Sequence, residues 1–156
     1  MRSGRLSEVP ATVRGLSTTA NVALQFVAVA LAVALRAYRP GAVTTMVVVT
    51  VVGLLVVLVP LALAVGTLGR QLLPAQVAVP FVVCAVGLVA VAALFPESSA
   101  DARWVPLFDL LSFHPRGVIR MGPVGFVLAA GYVVAVGWTA VVVALSRSRP
   151  AGEPQG

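Results

Sequence analysis

The sequence predicts an all-α integral membrane protein, a four-transmembrane-helix bundle with a short amphipathic interfacial helix between spans three and four. Three observations predict it: an extreme apolar content, long stretches without a charge, and the gathering of polar residues between those stretches. Of 156 residues, 60% are hydrophobic and only 10% charged, and the mean hydropathy is +1.04. A soluble domain is about 45–50% apolar and about 25% charged. A surface with so few charges is solvated by lipid rather than by water.

Charges punctuate the chain. Between Arg14 and Arg36 lie 21 residues without a charge, between Arg39 and Arg70 30, between Arg70 and Glu97 26, and between Arg120 and Arg147 another 26. A helix rising about 1.5 Å per residue needs roughly 20 apolar residues to cross about 30 Å of hydrocarbon. Each gap therefore holds one crossing and none holds two. The spans are placed at 17–36, 43–67, 76–95 and 123–146, with polar tails at 1–16 and 147–156 expected to be disordered.

Valine runs such as MVVVTVVGLLVVLV at 46–59 have the composition of buried strands. In lipid an open sheet leaves backbone groups unsatisfied, whereas a helix satisfies its own. These runs are apolar on every face and lack the alternation of a membrane β-barrel. The first span has the basic start of a signal peptide, but it runs into LRAYRP rather than a small-residue cleavage site. It is read as a retained span.

The interiors of the spans carry mild polar residues only. Asn21 and Gln25 lie one turn apart on span one and are expected to hydrogen-bond a neighbouring helix. Thr44, Thr45 and Thr50 lie in span two and Thr139 in span four. Pro60 and Pro80 each free a backbone carbonyl in the same leaflet, either as packing features or as kinks that open a small cavity. Gly131, Ala135 and Thr139 recur every four residues, a spacing that predicts a close-packing face on span four.

The 97–120 connection holds the richest chemistry. Trp104, Leu107, Phe108 and Leu111 fall at helical spacing and predict a surface-lying helix with Trp104 at headgroup depth. His114, the only histidine, precedes Pro115 and lies five residues from Asp109. The two are the candidates for an acid/base pair, although no nucleophile motif, second histidine or carboxylate cluster accompanies them. No catalytic, cofactor-binding or metal-ligating residue is assigned. Cys84 is the only cysteine, so no intrachain disulfide is possible, and no CxxC or Cys/His pattern suggests zinc.

The net charge of +6 comes from eleven scattered arginines, with no basic stripe to follow a nucleic acid. Anionic lipid headgroups are the expected counter-charge, and the lipid bilayer is the expected partner. With the N-terminus inside, six arginines face inward and five outward. The positive-inside rule thus gives little leverage, and the dominance of the first helix favours cytoplasmic termini. The expected function is that of a small multi-pass protein of the cell membrane, without a catalytic site, acting by association with itself or with a larger membrane complex. The alternatives are a small channel or carrier for an apolar or weakly polar solute, and a membrane enzyme using His114 and Asp109.

Overall fold

In the computed structural model the described residues are 16–69, 72–100, 102–113 and 121–148. His114, Arg116, Arg120 and nearly all of both tails lie outside them. The chain is predominantly helical, with three helices long and apolar enough to cross a membrane and a fourth crossing if one bent pair counts as a single span. The helices are α1 (Thr18–Ala37), α2 (Ala42–Val49), α3 (Val51–Val65), α4 (Ala75–Leu94), α5 (Pro106–Leu110) and α6 (Met121–Ser148).

Helix α4 is central. Half of its span is buried within the protein, against 28% for α1 and 22% for α6, so the others pack around it. Residues Thr18, Asn21, Gln25, Ala28 and Ala32 form the buried edge of α1. Their 3-4-3-4 spacing is that of helices crossing at a shallow angle. The core is built of small side chains: Ala28, Ala32, Ala85, Ala92 and Ala135 surround Cys84, Leu88 and Tyr132. A second cluster, around Phe81, Leu73, Val77 and Val143, fills the end near α6's C-terminus.

Span two differs from the uninterrupted helix expected at 43–67. It breaks at Thr50, and α2 lies at 77° to α3. Thr50 is extended, and its hydroxyl accepts a hydrogen bond from the Gly53 amide, capping α3. A Cβ on Gly53 would lie 2.6 Å from the carbonyl oxygen of Val47 and 2.7 Å from its Cα. Only glycine lets the α2 backbone fold back so closely. β-branched valines on both sides weaken the helix locally, so the threonine cap prevails. Pro60, read from sequence as a packing feature or a kink, lies inside uninterrupted α3.

A proline removes the hydrogen bond to the carbonyl four residues earlier, which for Pro60 is that of Val56. The Tyr132 hydroxyl of α6 donates to this carbonyl at 2.8 Å. The freed group is thereby satisfied and α3 is tied to α6. Gly87 makes room for the tyrosine, since a Cβ there would lie 3.3 Å from its ring. Both Pro60 and Pro80 are buried in packing, and neither lines the two cavities discussed below.

Two short antiparallel ladders close the ends of the bundle. β1 (Leu16–Ser17) pairs with β2 (Leu72–Leu73), so Leu16, expected in the tail, is part of the fold. β3 (Glu97–Ser98) pairs with β4 (Arg103–Trp104). The helix expected from Trp104 to Leu111 is therefore shorter, and Trp104 is a buried strand residue that does not share a helical face with Leu107. The cause is Pro106, which begins the helix and holds Val105 extended. Helix α5 ends with Ser112 in the left-handed region at φ 54°, and the Phe113 amide returns to the Phe108 carbonyl at 2.8 Å.

On α6 the buried face is Gly125, Tyr132, Ala135, Thr139 and Val143. Ala135 and Thr139 belong to it as expected, but Gly131 points outward with nothing near its Cβ position. The close approach is at Gly125, where a Cβ would lie 2.8 Å from Pro96 and 3.1 Å from the Phe95 ring.

Leucine at Gly125 should therefore cost about 1–3 kcal/mol through overpacking, while leucine at Gly131 should stay within about 0.5 kcal/mol of the parent. Equilibrium unfolding in mixed detergent micelles measures both. The same assay should show Tyr132→Phe losing about 1 kcal/mol. That loss should shrink in a Pro60→Ala background, where the alanine amide takes the Val56 carbonyl.

Candidate functional site

The polar groups of the described residues gather where α1 and α4 end and α2 begins. Helix α2 starts at Gly41, which offers no capping side chain. The carboxylate of Glu97 takes that role. It accepts from the Val43 and Thr44 amides, each at 3.0 Å, and from the Thr44 hydroxyl. A Cβ on Gly41 would collide with this carboxylate, so the helix must begin with glycine for its distant cap to fit.

Arg36, in the last turn of α1, donates to the same carboxylate as a salt bridge. Its other terminal nitrogen donates to the carbonyls of Val91 (2.9 Å) and Phe95 (3.1 Å) at the C-terminus of α4. The pair thus lies between two helix ends of opposite polarity. The carboxylate faces the positive end of α2 and the guanidinium the negative end of α4, each the favoured arrangement. The Glu97 side chain has no exposed surface and that of Arg36 is 14% exposed.

A second pair lies beside the first. Arg39 donates to Asp109 at 3.0 Å, and its guanidinium stacks 4.4 Å from the centre of the Trp104 ring. Trp104 is the cross-strand partner of Glu97, so the β3–β4 hairpin joins the two pairs. At the opposite end of the bundle Arg147 donates to the Gly66 carbonyl at 3.0 Å, serving the C-terminus of α3.

The residues singled out from sequence fall as follows. Asp109 is engaged with Arg39, and His114 lies outside the described residues, so the expected acid/base pair is not assembled within them. Gln25 meets its expectation, donating to the Phe81 carbonyl of α4 at 2.8 Å. Asn21 is fully buried, and neither of its amide atoms has a hydrogen-bond partner. Thr139 donates to Ala135 within its own helix and touches the Cys84 sulfur at 3.2 Å. Among the described residues, no three His, Cys, Asp or Glu side chains converge as a metal site would require. Sequence reasoning missed the Arg36–Glu97 pair because it treated both as boundary markers. The available signal was Gly41 followed by Thr44 at the start of a span with no acidic or hydroxyl cap of its own.

The arrangement is chemically suited to holding helices. Glu97 accepts four hydrogen bonds, so both oxygens are engaged. A cavity of about 180 Å³ between Glu97, Arg103 and Phe126 adjoins it. A larger apolar groove of about 440 Å³ lies between α1 and α4. No protein-family model matches the chain, and neither a curated protein nor a solved structure matches it.

Removing one partner of a buried ion pair leaves the other uncompensated, at a cost of about 3–5 kcal/mol. Arg36→Met and Glu97→Gln should each destabilise in that range. The double variant should cost clearly less than the two together, giving a coupling above about 1.5 kcal/mol. Additive losses in a double-mutant cycle would show that the charges act independently.

Proposed function

We propose that the protein is a non-enzymatic multi-pass protein of the cell membrane, with four crossings, that acts by association with itself or with a larger membrane complex. The observation that carries this reading is the outer face of α6. Only 22% of its span is buried within the protein. Its exposed side presents Val134, Trp138 and Val141 beside Gly131 and Gly137, whose Cβ positions have nothing within 4 Å. Small residues let a second helix approach closely, and close approach is what drives helix association in lipid. The charged side chains of the Arg36 and Arg39 clusters are meanwhile engaged within the chain.

The fourth crossing is the bent α2–α3 pair. It runs from the Glu97 end, where α2 is capped, to the end where Arg147 meets Gly66. Four crossings put both termini on one side, the cytoplasmic one if the first helix sets the orientation. A second reading, a small channel or carrier for an apolar or weakly polar solute, draws support from the 77° break, since broken helices often line transport paths. In its disfavour, the positive end of α2 is already occupied by Glu97. The third reading, an enzyme using His114 and Asp109, rests on sequence alone.

Reporter fusions at residues 10 and 150 should both report the cytoplasm. With Cys84 replaced by Ser, Val134→Cys should form disulfide-linked products in intact membranes, whereas cysteine at half-buried Val136 should not. Absence of any product from Val134→Cys, in a chain that still inserts, would remove the association reading. Loss of a biological activity in His114→Ala with assembly intact would bring the enzyme reading forward.

A further inference from the structure

We propose that α2 is embedded sideways in one leaflet of the bilayer, with acyl chains as its cover, while α3 alone makes the crossing. The inference rests on the membrane reading above and deepens it. Two ties fix the direction of α3. The Tyr132 hydroxyl meets the Val56 carbonyl and, further along both helices, Arg147 meets that of Gly66. Contacts in the same order lay α3 alongside α6, a 28-residue helix. Helix α2, at 77° to α3, therefore lies across the span direction.

The lengths agree with this. Helices α1 and α4 have 20 residues each, about 30 Å at 1.5 Å per residue, which matches a hydrocarbon core of about 30 Å. Helix α3 has 15, roughly 22 Å. Its far end is in place, since Ala64 packs with Leu73 and Val143. The shortfall of roughly 8 Å is thus at the α2 end, and a helix laid sideways, about 10 Å across, fills it. Glu97 holds the first turn of α2 at the level of the ion pairs.

The surface of α2 selects the occupant. None of its residues is buried, and Met46, Val48 and Val49 are 69%, 60% and 75% exposed. Both hydroxyls are engaged: Thr44 donates to Glu97 and Thr45 to the Gly41 carbonyl. A protein partner covers one stripe of a helix, whereas here the apolar surface continues wherever α3 and β3 leave it open. Acyl chains cover such a surface on every side, and a helix satisfies its own backbone among them. With cytoplasmic termini this is the outer leaflet.

The test is nitroxide depth measurement in phosphatidylcholine vesicles, from the access of oxygen and of a water-soluble nickel chelate to single cysteines in a Cys84→Ser chain. Ala42 and Val49 are exposed and share one face of α2, and Leu58 and Val65 share one of α3. Each pair is separated by about 10 Å along its helix, of which 77° leaves only about 2 Å along the span for α2. Labels at Ala42→Cys and Val49→Cys should therefore lie within about 2 Å in depth, and those at Leu58→Cys and Val65→Cys about 10 Å apart. Thr45→Cys against Val49→Cys repeats the measure, with about 6 Å expected of an upright helix. A difference near 10 Å on α2 would mean one upright span and would overturn the proposal. So would spin–spin broadening between copies at Val49→Cys, which puts a second copy on α2. Nickel access along α2 alone places that helix in water and defeats the proposal while the membrane reading stands. Nickel access at Leu58→Cys as well defeats both.

Discussion

The Glu97 carboxylate is the contact on which the architecture depends. It caps α2, which has no cap of its own, and pairs with Arg36, which in turn serves the carbonyls at the end of α4. Three segments far apart in the chain are joined by two side chains. In an apolar surrounding a helix end without partners is costly, because no water reaches its free amides and carbonyls. Here a positive helix end and a negative one are neutralised together, and the charges that do so neutralise each other.

The same accounting explains features that look unrelated. Pro60 opens a carbonyl and Tyr132 closes it. The break at Thr50 exposes the Gly53 amide, and the threonine hydroxyl accepts from it. The end of α3 is met by Arg147. These interruptions are each matched by one side chain, and a glycine often makes the room: Gly41 for Glu97, Gly53 for Val47, Gly66 for Arg147 and Gly87 for Tyr132. The Asn21 amide and the Trp104 indole N–H stand apart, since among the described residues these buried groups have no hydrogen-bond partner.

What could be read from sequence follows from the range of the forces involved. Uncharged gaps revealed the long helices, because a charge within hydrocarbon is expensive wherever the chain leads. Gln25 was legible as an inter-helix donor for the same reason. The break at Thr50 was missed because a run of apolar residues says how long a segment is, not whether it bends. The marks of the bend were local and present, a threonine three residues before a glycine. The Trp104 helix failed on a local rule too: Pro106 forbids the geometry that the apolar spacing suggested. The spacing of Gly131, Ala135 and Thr139 misplaced the close approach, which is at Gly125, because small-residue spacing does not say which side of a helix faces the protein. Asp109 was visible as a carboxylate, but its partner Arg39 is distant in sequence and no pattern linked them.

The position of α2 follows from the order in which its partners become available. Its first-turn amides depend on a carboxylate that arrives only after α3 and α4 have been laid down. Until then, in the membrane reading, those amides must stay where water reaches them. Thr50 and Gly53 let α3 enter hydrocarbon while α2 turns aside at 77°. The bend and the distant cap act on the two ends of one short helix: Thr50 caps α3 where α2 stops, and Glu97 satisfies the amides with which α2 begins.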